Sequence, residues 1–191
     1  MQLIYDYIII LFVWVLFAVL EYPRSIIIPL IRQRYKVKYK EDRMSIWVLF
    51  VPEMIAWLIF EAMLILGTGI LPVQFMYLGF AVLIAGLALR QWAISELGLF
   101  WAVTVRILKR HKVVTSGPYK YLRHPSYTGA FMFYIGLGLI AQSPIAIALI
   151  LAILVPAFMY RIRVEEASLT RHVVGYSKYA SRTKRIVPYL F

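Results

Sequence analysis

Two runs in the second half of the chain bring together residue types that could line a pocket. The first, from Thr115 to Gly129, contains Tyr119, Tyr121, Arg123, His124, Pro125, Ser126 and Tyr127. Gly117 and Pro118 break regular structure there, while Pro125 suits the first position of a helix and leaves His124 at its cap. A histidine, a serine and a tyrosine then stand beside the exposed backbone N–H groups of a helix amino end. The second run is Arg161, Ile162, Arg163, Val164, Glu165 and Glu166. On a helix Arg161 and Glu165 share a face, whereas Glu166 is turned about 100° from Glu165. Each run also has a plainer explanation. Tyr119, Tyr121 and Tyr127 suit an aromatic belt with Arg123 on lipid phosphates, and a charge run often marks a solvated, salt-bridged helix start. Against the second explanation, carboxylates are unexpected near anionic lipid.

The composition says what positions these runs. Of 191 residues 62% are hydrophobic and 16% charged, which excludes a water-soluble globule, where roughly 45–50% apolar and about 25% charged are usual. Stretches of mainly apolar residues long enough for membrane helices fall at about 3–20, 45–66 and 73–89, with two shorter ones at about 127–140 and 145–160. The first lacks the basic start and small-residue end of a cleaved signal, so it is expected to remain as a helix. The segment from Gly67 to Gln74 and the triplet Gln142, Ser143 and Pro144 carry no charge and read as tight turns closing antiparallel hairpins. The second turn forces the fourth and fifth spans side by side, which brings the His124 end of one next to the Arg161–Glu165 end of the other. A pocket with histidine, tyrosines, arginine and carboxylate is the expected result.

All 21 Lys and Arg residues, against 9 Asp and Glu for a net charge of +12, fall into three clusters, after the first, third and fifth spans. With five alternating spans, every cluster lies on one side, which the positive-inside rule makes the cytoplasm. The expectation is one all-α, polytopic membrane domain over residues 1–191, with amino terminus outside, carboxyl terminus cytoplasmic and the pocket on the cytoplasmic side. In so apolar a chain the basicity points to a membrane surface rather than nucleic acid.

Other groups are less telling. Glu53 and Glu61 lie eight apart within the second span, where a carboxylate is costly and is either functional or paired. His111 sits among Lys109, Arg110 and Lys112, and His172 has no evident partner. Such scattered histidines, with no cysteine in the chain, do not suggest a metal site. Neither a phosphate-binding glycine loop nor a nucleophile elbow is present.

The run from His111 to Tyr119, followed by Arg123 to Gly129, resembles the membrane-embedded isoprenylcysteine carboxyl methyltransferases. The tail pattern Arg161, Glu165, Glu166, Leu169, Gly175, Tyr176, Tyr179, Arg182 and Pro188 resembles the same family's carboxyl end. The likeness covers roughly the last 90 residues; the first half matches only in being helical. It implies a multi-span helical protein that uses S-adenosylmethionine to methylate the carboxylate of a prenylated carboxyl-terminal cysteine, leaving S-adenosylhomocysteine. It implies that about 104–129 and 161–188 hold the cofactor, through His111, Lys112, Val113, Val114, Tyr119, His124, Pro125, Ser126, Tyr127 and Glu165. It matches Arg161 to the arginine that meets the substrate carboxylate. Some relatives carry extra helices at the amino end.

That chemistry suits the residues, because a carboxylate is already ionised at neutral pH and needs alignment and water exclusion rather than a base. Two other functions stay open. A phospholipid or small-lipid amine methyltransferase would want a neutral base near the pocket, against which Arg161 argues. A non-enzymatic lipid-binding or transport protein would use Glu53 and Glu61 and be indifferent to the cofactor.

Overall fold

A computed structural model describes residues 2–31, 37–40 and 44–186. Arg32, Arg34, Lys36 and Arg43 of the first basic cluster lie outside these residues, as does Pro188 with the end of the expected 161–188 region. The chain forms α1 (Gln2–Ile31), β1 (Val37–Lys40), α2 (Ser45–Ile65), α3 (Gln74–Leu97), β2 (Arg106–Leu108), α4 (Pro125–Ile140), α5 (Pro144–His172) and α6 (Tyr176–Ala180).

All five expected spans are helical, but among the described residues only α1, α2, α3 and α5 are long and apolar enough to cross a membrane. At 16 residues, α4 is roughly 24 Å long, short of the ~30 Å hydrocarbon core. Three helices outrun their apolar stretches. Charge ended the predicted spans near Glu21 and Arg90, but these two side chains pair inside the protein, so neither ends a helix. What stops α3 is Gly98, whose φ of +51° favours glycine and whose N–H bonds to Ile94 O. The continuation of the last helix past Tyr160 was expected, and it runs to His172.

The two tight turns meet. Gln142 O accepts from the backbone N–H groups of Ile70 and Leu71 at 3.0 Å each, and Gln142 Nε2 donates to Leu71 O at 2.7 Å. Both hairpin turns thus lie at one end of the bundle, opposite the two chemical runs. Ser143 caps α5 by accepting from Ala146 N–H at 3.2 Å.

The largest helix–helix contact is between α3 and α4, and glycine makes it possible. A Cβ on Gly86 would sit 2.6 Å from Gly129 O, and one on Gly79 would sit 2.8 Å from Gly136 O. The two backbones touch at paired glycines seven residues apart on each helix, the small-residue packing that membrane helices use in place of a hydrophobic driving force. Around this seam Trp57, Phe60, Leu83, Phe133, Leu137 and Phe158 fill the core, with Trp14 stacked on Trp57 at 4.2 Å.

One feature departs from the all-α expectation: β1 pairs antiparallel with β2, Val37 opposite Leu108 and Lys40 opposite Arg106. The partners are some 70 residues apart, and neither run of three or four residues has the length that makes a strand visible in sequence.

Candidate active site

Opposite the hairpin turns, the segment leading into α4 is fixed from several sides. Gly117, at φ +55°, opens a single 3-10 turn over Gly117–Lys120, and Ser116 Oγ donates to the Glu96 carboxylate at the end of α3. Tyr179 of α6 donates its hydroxyl to Tyr119 O at 2.8 Å and to Leu122 O at 3.2 Å. Burial pushes the Tyr179 phenol up to about 12, so it remains a donor at neutral pH. The carboxyl-terminal tail then runs alongside. Arg123 N–H donates to Lys184 O at 2.7 Å, His124 N–H to Arg185 O at 3.0 Å, and Thr128 Oγ1 to Ile186 O at 2.7 Å. His124 caps α4 as expected, with Pro125 at the first position.

Glu165 and Glu166 part company. The Tyr127 hydroxyl donates to Glu165 Oε2 at 3.2 Å. Glu166 Oε1 lies 3.2 Å from His124 Nε2 and 3.3 Å from Arg123 Nε, and its Oε2 lies 3.1 Å from Arg185 Nε. One carboxylate therefore faces a cavity while its neighbour bolts the tail to the start of α4. Helical periodicity separates the two acids in this way, with Glu165 on the face of Arg161 and Glu166 turned from it.

The cavity is a cleft open to the loop side and walled by residues of both runs. Among its lining residues are His111, Lys112, Val113, Val114, Tyr119, His124, Ser126, Tyr127 and Glu165. Pro125 does not line it and serves to start the helix. Arg161 does not line it either. Only 1% exposed, it lies one layer behind, where Nη2 donates to Val103 O at 2.7 Å and the guanidinium reaches the Tyr127 hydroxyl. Val103 and Tyr127 are themselves in the lining, so Arg161 braces two parts of the wall.

The polar lining is incompletely satisfied. His111 stacks on Phe100 at 4.6 Å between ring centres, and its buried Nδ1 has no hydrogen-bond partner among the described residues. Burial holds this histidine below its ordinary value, against the opposing pull of Glu165, and so favours the neutral ring. Tyr176, 5% exposed, packs on Ile107 and Val173 with its hydroxyl buried and, among the described residues, equally without a partner. Such groups cost about 1–3 kcal/mol each when left unmade, and a ligand with nitrogen and hydroxyl groups would satisfy them.

Arg90 also lines the cleft, although in sequence it looked like a topology charge. Its Nε and Nη2 donate to Glu21 at 2.8 and 3.2 Å, and Nη1 donates to Ser126 Oγ at 3.0 Å. Ser126 is thus placed from α3, and α1 is tied to the same point. Nothing local identifies Arg90, because its partners come from α1 and α4. Tyr176 and Tyr179 had a signal in the tail pattern but no reason to be singled out. Of the two intramembrane acids, Glu61 accepts from Trp14 Nε1 at 2.6 Å, while Glu53 lines the cleft.

Residues 77–171 match the family model described as isoprenylcysteine carboxyl methyltransferase. The protein-S-isoprenylcysteine O-methyltransferase of Mus musculus is 30% identical over 174 residues, covering 88% of this chain and 57% of the mouse protein. The cobalt-zinc-cadmium resistance protein CzcN of Cupriavidus metallidurans is 30% identical over 151 residues, covering 78% of this chain and 64% of that protein. The chain spans about six tenths of the length of the curated relatives it matches. A solved structure of the eukaryotic intramembrane Ras methyltransferase, an isoprenylcysteine carboxyl methyltransferase, aligns over 100% of this chain and 68% of that one. Its TM-score is 0.67 at 23% identity, a likeness of fold.

Proposed function

Because the chain belongs, through residues 77–171, to the isoprenylcysteine carboxyl methyltransferase family, we propose that it methylates the carboxylate of an isoprenylated cysteine or a similar lipid-borne acid, with S-adenosylmethionine as donor. The observation that carries this reading is the convergence of the His111–Val114 and Tyr119–Tyr127 segments with Glu165 on one cleft. Glu165 stands about 40 residues along the chain from the nearer of the other two segments, and two of the cleft's buried polar atoms, His111 Nδ1 and the Tyr176 hydroxyl, lack partners among the described residues.

The donor fits this lining. Bound there, S-adenosylmethionine would supply an electrophilic methyl group. Glu165, steadied by Tyr127, accepts hydrogen bonds from the donor's hydroxyl or ammonium groups, which a carboxylate does well in a partly dry site. Neutral His111 stacks and offers its unpartnered nitrogen, while Tyr119 and the Val113–Val114 edge enclose the flatter, less polar part. His124, held by Glu166, and Ser126, held by Arg90, keep the first turn of α4 in place, so the cleft is preorganised.

On the acceptor side no general base is needed, since the acid is already ionised. What the chain contributes is orientation and exclusion of water. Arg161 supplies a positive charge one layer behind the wall and fixes Val103 and Tyr127 in front of it. The prenyl tail belongs with the apolar helices, and the donor enters from the loop side. We assign that side to the cytoplasm, because all 21 cations cluster after the first, third and fifth helical stretches.

Purified protein incubated with S-adenosylmethionine and N-acetyl-S-farnesylcysteine should give the methyl ester, read by mass spectrometry. Protein that binds the donor product yet forms no ester from farnesyl or geranylgeranyl cysteine would overturn the acceptor assignment.

A further inference from the structure

Glu53 lies eight residues, roughly 12 Å, beyond Ser45 along α2, well inside an apolar helix. Its companion Glu61 is accounted for by the Trp14 indole. Glu53 is not accounted for in the same way. Among the described residues no group donates a hydrogen bond to it, and Arg90 faces it only as a charge. That guanidinium has given Nε and Nη2 to Glu21 and Nη1 to Ser126. A carboxylate held in so apolar a setting without a donor is costly, and this one lines the cleft.

Its position sets the kind of donor it would meet. Glu53 and Arg90 also line a second, smaller cavity, walled by Phe17, Leu87 and Phe133. Glu53 therefore stands at the seam between the polar cleft and the apolar interior. Glu165, by contrast, comes from α5 at the loop end. A lipid-borne acceptor would pass the seam; the soluble donor would not need to.

We propose that Glu53 is a specificity-determining residue for the acceptor, its carboxylate accepting a hydrogen bond from an N–H group carried next to the reacting carboxylate, as in the amide of a carboxyl-terminal residue. This rests on the acceptor reading above. It makes the acceptor site bipartite: positive charge from Arg161 behind the wall serves the acid, and negative charge from Glu53 serves the neighbouring nitrogen. An amino-acid-type terminus matches that pair, whereas a simple fatty acid matches half of it.

The test compares two acceptors with the same tail and carboxylate: N-acetyl-S-farnesylcysteine, which has the N–H, and S-farnesyl-3-thiopropionate, which lacks it. Wild-type protein, Glu53→Gln and Glu53→Ala are measured in nanodiscs. Titration with S-adenosylhomocysteine serves as both folding check and cofactor readout. Glu53→Ala is expected to lower kcat/KM for the amide acceptor about tenfold, chiefly through KM, and to change the thiopropionate less than about twofold. Glu53→Gln, which keeps a carbonyl acceptor, falls between. Affinity for S-adenosylhomocysteine stays at the wild-type level. Equal losses on both acceptors overturn the proposal, as does a matching loss of S-adenosylhomocysteine affinity, which would assign Glu53 to the donor's ammonium. If wild-type protein binds S-adenosylhomocysteine but neither acceptor, the acceptor reading fails and this inference fails with it.

Discussion

The Tyr127 hydroxyl donates to Glu165 Oε2 across 3.2 Å, joining the first turn of α4 to the far end of α5. Tyr127 also reaches Arg161 through the same hydroxyl, so one phenol links an anion in the cleft lining to a cation one layer behind it. Tyr127→Phe keeps the ring, which packs near Phe158 at 5.5 Å, and removes only that hydroxyl. Donor-product affinity is expected to weaken about fivefold, close to 1 kcal/mol for one hydrogen bond. Calorimetry with S-adenosylhomocysteine reads it; unchanged affinity would mean that Glu165 is held without Tyr127.

Glu166 is the bolt of the tail rather than part of the cleft lining. Its side chain is 12% exposed and faces Arg123, His124 and Arg185. Glu166→Ala leaves the Arg123 guanidinium buried against no carboxylate, at an expected cost of about 2–3 kcal/mol. A lower melting temperature and faster proteolysis after residue 180 should appear together. Wild-type resistance would show that the backbone bonds of Arg123 and His124 suffice.

Paired glycines set the distance between α3 and α4. A Cβ on Gly129 would lie 2.5 Å from Gly86 O and 2.8 Å from Arg90 Cβ, too close for either backbone to yield cheaply. Gly129→Ala should destabilise by about 1–3 kcal/mol and displace Arg90 from Ser126. The reading is thermal melting in detergent combined with donor-product affinity; an alanine that melts like wild type would contradict the close approach.

Much of this was legible beforehand, and the exceptions share a cause. The helical hairpin of α4 and α5 follows from a three-residue turn, so the meeting of His124 with the acids on α5 could be read directly. The division between Glu165 and Glu166 followed from helical periodicity. Partners drawn from distant elements could not be read. Arg90 resembles any cation at a helix end until Glu21 and Ser126 are beside it, and the β1–β2 pair joins runs with no strand signal. Glycine packing was equally hidden, because glycine in an apolar stretch looks like composition. Arg161 was placed by resemblance at the acceptor; in the fold it stands one layer behind the wall.

His111 makes the stability of the protein pH-dependent. Burial lowers its value, and Glu165 only partly opposes this. The folded protein thus binds fewer protons here than the unfolded chain between that lowered value and about 6.5. Its contribution to stability is complete above about pH 6.5 and declines as pH falls from there towards the folded value. Melting temperature between about pH 5 and 7 should drop on acidification for wild type and drop less for His111→Asn. Identical profiles would show that His111 does not titrate in this window.

We propose that the cleft beside Glu165 binds the methyl donor while Glu166 lies behind it. Titration calorimetry with S-adenosylhomocysteine, run on wild type, Glu165→Gln and Glu166→Gln, tests it most directly. The expected result is saturable one-to-one binding by wild type, at least about tenfold weaker binding by Glu165→Gln, in line with loss of a charged hydrogen bond, and Glu166→Gln within about threefold of wild type. No binding by wild type, or equal loss in the two variants, would contradict it.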